Sequence, residues 1–188
     1  MKNLICNMKI ELYHGTSKKN ADLILKQGFK DRVNSKESNW EDKKISQKGF
    51  VYLTNAYPFF YGSNAGEEED NEGSVLKVIV DTKNLYPDED MLRCLGLKGN
   101  IDLEDYKYEG KASLRMLGNI AIKPKHIEKI LGRKDFNIVE LFMYSDPSIS
   151  VMNYEIMGKY YRDLTNDWWE GKKLKRLNHV ELFDTIKN

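Results

Sequence analysis

Cysteine is scarce in this chain: among 188 residues there are two, Cys6 and Cys94. Without a Cys-x-x-Cys pair, a disulfide framework and a structural zinc site are both disfavoured, and a reducing cytosol is the expected setting. Histidine is equally sparse. His14, His126 and His179 lack the mutual spacing of metal ligands, so no metal is expected. Long apolar runs are missing: nothing approaches the roughly 18 residues that cross a bilayer, so no membrane partner is expected. Met1 to Met8 is too short and too polar for a secretory signal, which makes a cytoplasmic location (a bacterial or host-cell cytosol) the expectation. A surplus of either charge is absent too, since 30 basic and 29 acidic residues leave a net +1. Bulk charge therefore announces no nucleic-acid partner; such binding needs a local patch. No Gly-x-Ser-x-Gly elbow of a serine hydrolase is present.

What the chain does have is a sequence of strand-like and helix-like stretches without regular alternation. Ile10 to Tyr13 reads as a short strand leading to His14-Gly15-Thr16-Ser17. Thr16 or Ser17 can cap a helix starting near Lys18, and Gly28 is a natural stop for it. This puts a His and a Gly at the mouth of a strand-to-helix turn, where a ligand can come close to the backbone. Lys30 to Lys48 is a long polar connection. Gly49 to Thr54 is a strand opened by Gly, and Pro58 suits the first turn of a following aromatic-rich helix. Glu67 to Gly73 reads as a solvated acidic turn, and Ser74 to Asp81 as a buried strand.

Further on, Thr82 to Leu97 reads as a turn and a short helix, and Lys98 to Lys111 as a polar loop. Leu114 to Ile122 is a strand ended by Pro124, His126 to Leu131 a short helix or turn, and Ile138 to Tyr144 a last strand. From Pro147 the apolar residues recur at helical spacing up to Trp168 and Trp169. Lys172, Lys173, Lys175 and Arg176 follow, a basic run that is either a solvated helix face or, with the tryptophans, an RNA footprint. The sum is five or six strands with few helices, which is α+β rather than doubly wound α/β.

The order strand-His14-Gly15-Thr16-helix-Gly28, then Gly49-x-Val51-Tyr52-Leu53-Thr54, then Leu114-Arg115-x-x-Gly118-x-Ile120 with Pro124 and Ile127 beyond, resembles the ADP-ribosyltransferase superfamily in its His-Tyr-(acid) branch. That branch holds poly(ADP-ribose) polymerase-like enzymes, DNA-modifying toxins, rifamycin-inactivating transferases and RNA 2′-phosphotransferases. The resemblance spans about Lys9 to Leu131. It implies a split, mostly antiparallel sheet with flanking helices as a catalytic core over residues 1–135. The resemblance says nothing of residues 136–188, whose own pattern reads as a last strand and a helical extension packed on that core.

The family implies an activity and roles for residues. NAD is the co-substrate, and its nicotinamide–ribose bond breaks through a sugar-cation transition state. His14 would bond a ribose hydroxyl and Gly15 would grip the nicotinamide amide through its backbone, with Thr16 beside it. Tyr52 would stack on the nicotinamide ring, with Tyr61 or Tyr57 as the other wall. An acid steadying the cation belongs near Leu114. Glu109 is the choice there, and Asp105, Glu104 or Ser113 are the alternatives. The imidazole of His14 and the phenol of Tyr52 are expected to line one crevice. The expected function is transfer of a single ADP-ribose to a protein, nucleic-acid or small-molecule acceptor, in a bacterial or phage toxin or defence role. The competing expectations are an inactive binding module of the same fold and an RNA 2′-phosphotransferase using Arg32, Arg93 and Arg115. For the latter, Tyr13 stands where that subgroup carries an Arg before its His.

Overall fold

The computed structural model describes residues 8–30, 47–66, 72–94, 96–99, 101–108, 119–137 and 154–174. Among them six strands form one sheet in the order β4-β5-β2-β1-β3-β6, every neighbouring pair antiparallel. The strands are β1 (Lys9–Ser17), β2 (Val51–Thr54), β3 (Glu72–Asp81), β4 (Leu85–Pro87), β5 (Asn119–Ile122) and β6 (Ile127–Asn137). The helices are α1 (Lys18–Gln27), α2 (Pro58–Gly66), α3 (Glu89–Cys94) and α4 (Tyr154–Trp169). This is an α+β fold.

β1 is longer than its apolar residues announce. His14 to Ser17 continue the strand, with His14 opposite Leu76 and Ser17 opposite Gly73 on β3. His14 and Gly15 thus lie inside a strand, not at a turn, because β3 supplies hydrogen-bonding partners along the whole segment. Ser17 is the cap, its hydroxyl accepting from the Asn20 N–H at 3.3 Å. Gly28 ends α1 at φ 74°, and its N–H bonds the Ile24 carbonyl at 2.8 Å. β4 interrupts the expected turn and short helix of Thr82 to Leu97: Leu85 and Tyr86 pair with Ile122 and Ala121 after a 3-10 turn at Thr82–Asn84. Lys123 to Leu131 also differs from expectation. Only Pro124–His126 forms a 3-10 turn, and from Ile127 the chain is strand, because it has β3 to pair with. β6 runs to Asn137, past the expected boundary at residue 135. Ile138 to Tyr144 and Leu114 to Gly118 lie outside the described residues.

Strand alternation sorts the core onto two faces. Leu12, Leu53, Val78, Val80, Ile120 and Ile122 cluster on the first. On the second, Tyr13, Phe59, Val75 and Phe136 form one cluster, and Phe50, Tyr86, Leu92 and Leu103 another. α2 and α4 cover the second face. Trp168 stands edge-on to Phe59 at 5.0 Å between ring centroids, and Trp169 lies 5.8 Å from Tyr13. α1 is tied to β6 by the ion pair Asp22–Arg133.

The pairing is uneven. β1 pairs with β3 along all nine of its residues, and β2 with β5 along all four. β1 and β2 share a single register position, Tyr13 opposite Thr54. The sheet therefore has a seam between a β4-β5-β2 half and a β1-β3-β6 half, and the first-face cluster spans it.

Candidate functional site

His14 sits on the seam. Its Nδ1 donates to the main-chain carbonyl of Tyr52 at 2.9 Å. A carbonyl only accepts, so Nδ1 carries the hydrogen. The bond stands in for strand pairing that stops at Tyr13 and Thr54. The imidazole leaves β1 on the first face, with Leu12, and meets Phe29 edge-on at 5.2 Å between ring centroids. Phe29 follows Gly28, so the glycine that stops α1 also turns the chain back over the seam.

The phenol of Tyr52 leaves β2 on the other face. It packs with Phe50, Tyr86 and Ala121, and its hydroxyl lies 2.7 Å from each carboxylate oxygen of Glu89. The expectation that imidazole and phenol line one crevice is corrected here. The seam joins them through the Tyr52 carbonyl, but period-two alternation sends the side chains to opposite sides. Burial, first, and the Glu89 carboxylate, second, raise the Tyr52 pKa, so the phenol stays protonated and donates.

Around that bond is a small polar knot. The Gln47 N–H donates to Tyr52 Oη at 3.0 Å and to Glu89 Oε1 at 3.2 Å, while Gln47 Oε1 accepts from the Leu103 N–H at 3.3 Å. It joins the segment entering β2, the first turn of α3 and the 3-10 turn at Leu103–Tyr106. Glu89 is 8 % exposed, and its place at the start of α3 sets a carboxylate at the positive end of a helix. Neither Gln47 nor Glu89 was singled out from the sequence. The run Pro87-Asp88-Glu89 is an acidic helix start that signals a cap, but nothing local ties it to a tyrosine 37 residues away.

The other named residues fall as follows. Gly15 faces the second side, where α2 takes the space a side chain would need: a Cβ would stand 1.9 Å from the Pro58 carbonyl oxygen. Its lack of a side chain admits a helix there. Thr16 is buried opposite Ser74. Tyr61 is half-buried on α2 with its ring against Phe60, and Tyr57 packs on Tyr161 of α4 at 5.5 Å. Glu104 accepts from the Tyr86 hydroxyl at 3.0 Å and pairs with Lys123, which holds its carboxyl below the usual range. Asp105 is exposed. Glu109, Ser113, Arg32 and Arg115 lie outside the described residues. Trp168 and Trp169 serve packing, and Lys172 pairs with Asp167 at 3.1 Å and Glu170 at 2.6 Å. Among the described residues no group of three His, Cys, Asp or Glu is placed to hold a metal ion, and no helix is long and apolar enough to cross a membrane.

No protein-family model matches the chain, and no curated protein matches it in sequence.

Proposed function

We propose that this chain is a NAD-dependent mono-ADP-ribosyltransferase of the His-Tyr branch, with its working crevice on the first face of the seam. One observation carries the reading. Two motif segments 38 residues apart, His14-Gly15-Thr16 and Val51-Tyr52-Leu53-Thr54, meet on adjacent strands where the sheet is least paired, and His14 bridges them. A split antiparallel sheet is what the resemblance implies, and the single β1–β2 register position is consistent with it. In this reading His14 holds a ribose hydroxyl while its Nδ1–H keeps the ring oriented. The phenol of Tyr52, on the other face, does not stack on the nicotinamide as the resemblance implies; Tyr52 acts instead through its carbonyl, which fixes the imidazole, while its phenol ties β2 to α3. The acid that steadies the sugar cation comes from the segment holding Glu109. The acceptor and a toxin or defence role belong to the same proposal by analogy of fold.

The test is release of nicotinamide from labelled NAD. Release that disappears in His14→Ala supports the enzyme; absence of NAD binding by calorimetry overturns it. The placement of the Tyr52 phenol favours a second reading, a binding module of this fold without transfer activity. NAD binding with no nicotinamide release, whatever acceptor is supplied, selects that reading.

A further inference from the structure

A cavity that neither Tyr52 nor His14 lines opens between Gly28–Lys30, the segment entering β2 and the start of β6. Its volume is about 870 Å³, and Phe29, the partner of His14, forms one wall. Its apolar floor includes Ile127 and Ile130 from the start of β6, which also pack on the first-face core. Its rim is unevenly charged. Among the described residues five lysines and three acids line it, and two of the acids are already engaged, Glu104 with Lys123 and Glu128 with Lys9. The third, Asp102, caps the Glu104 N–H at 3.0 Å. Lys30, Lys48, Lys125 and Lys129 are left without a carboxylate partner among the described residues.

A second observation shows that the positive region outruns the cavity. His126, on the turn that forms its edge, has its pKa lowered first by burial and then by Lys125, Lys107, Lys123 and Lys83. These four cations come from three separate parts of the chain; Lys123 is paired with Glu104 and Lys83 with Asp81, which leaves Lys125 and Lys107 without a carboxylate partner among the described residues. In a protein of net charge +1 the lysines left without a carboxylate on this rim make a local positive patch. A single nucleotide would fill the cavity and leave Lys107, beyond its rim, unused. A polymer with regularly spaced phosphates would use the whole stripe.

We propose that the cavity and the lysine stripe around the Pro124–His126 turn form a binding groove for single-stranded nucleic acid. Phosphates lie along Lys48, Lys125 and Lys129, and a base enters the cavity against Phe29. The binding stands independently of any transfer activity. That the bound strand is also the acceptor rests on the proposed function.

The experiment is fluorescence anisotropy of a labelled 12-residue oligonucleotide, once as RNA and once as DNA, with the full chain and no NAD. Binding with a dissociation constant of about 10⁻⁴ to 10⁻⁶ M at moderate salt is expected. Lys125→Glu with Lys129→Glu should weaken it about tenfold or more. The neutral pair Lys125→Gln and Lys129→Gln, which guards against misfolding, should lower the slope of log K against log salt by about 1.4, or 0.7 per lost phosphate contact. Lys172→Glu should leave binding unchanged. No binding of the oligonucleotide at low salt, equal loss from Lys172→Glu, or binding by Lys125→Gln with Lys129→Gln as tight as the parent's at every salt would each overturn the proposal. Because NAD is absent, failure here leaves nicotinamide release untouched, and failure of that release leaves this binding intact.

Discussion

The Nδ1 of His14 donates to the carbonyl of Tyr52 across the least paired boundary in the sheet, at 2.9 Å. The two residues are joined through a ring on one side and a main-chain oxygen on the other. His14→Ala is therefore expected to remove a bond that holds two half-sheets together. Loss of such a bond costs about 1 kcal/mol, read as a lower urea midpoint. An unchanged midpoint would mean the seam is held by the first-face core alone. In the proposed enzyme the same variant loses nicotinamide release.

Tyr52→Phe keeps the ring and removes its hydroxyl. Glu89 is then left in a buried place with the Gln47 N–H as its remaining partner in the knot. A loss of about 1–3 kcal/mol is expected, the usual penalty for an under-satisfied buried group. Glu89→Gln retains an accepting oxygen for the phenol and should lose less. If Tyr52→Phe is as stable as the parent, the phenol is not a staple.

Gly15→Ala places a methyl where the Pro58 carbonyl already stands, and the Gly62 nitrogen is 2.7 Å from the same point. Both neighbours are backbone, so relief requires α2 to lift from β1. A loss near the upper end of the roughly 1–3 kcal/mol typical of overpacking is expected, measured by chemical denaturation.

His126 gives a pH dependence. Burial and nearby lysines lower its pKa in the folded protein, so the unfolded chain binds the proton more readily. Stability should rise with pH through the window below about 6.5, the ordinary histidine value, and fall as the solution is acidified through it. His126→Gln should flatten that part of the profile. Bound oligonucleotide should raise the His126 pKa followed by NMR titration, since phosphates screen the lysines; no movement would argue against the groove.

Trp168→Ala tests whether the last helix is part of the fold. The indole contacts Phe59 and Phe136, and Lys134 reaches the carbonyl of Trp168 at 3.0 Å. The ring is only half-buried, so a loss of about 2 kcal/mol is expected, below the 3–5 kcal/mol of a fully buried aromatic. Oligonucleotide affinity should not change, because this helix lies on the second face.

Much of the element map was legible because it rests on local chemistry. The cap at Ser17, the stop at Gly28, the start of α2 at Pro58 and the buried run of β3 are each set by neighbours within four or five residues. The α+β class followed from the absence of alternation. What only the tertiary structure decided is pairing and facing. β3 turned His14 to Ser17 into strand, and β5 made a strand of Leu85 to Pro87. The register at Tyr13 and Thr54 sent the His14 ring and the Tyr52 phenol apart. Period-two geometry makes facing depend on a single register position between segments distant in the chain, and no local preference encodes that position. Charge behaved likewise. Composition gave a total of +1, but which lysines find carboxylates and which gather round one turn is fixed by packing, because a Coulomb interaction depends on distance in space and not on order in the chain.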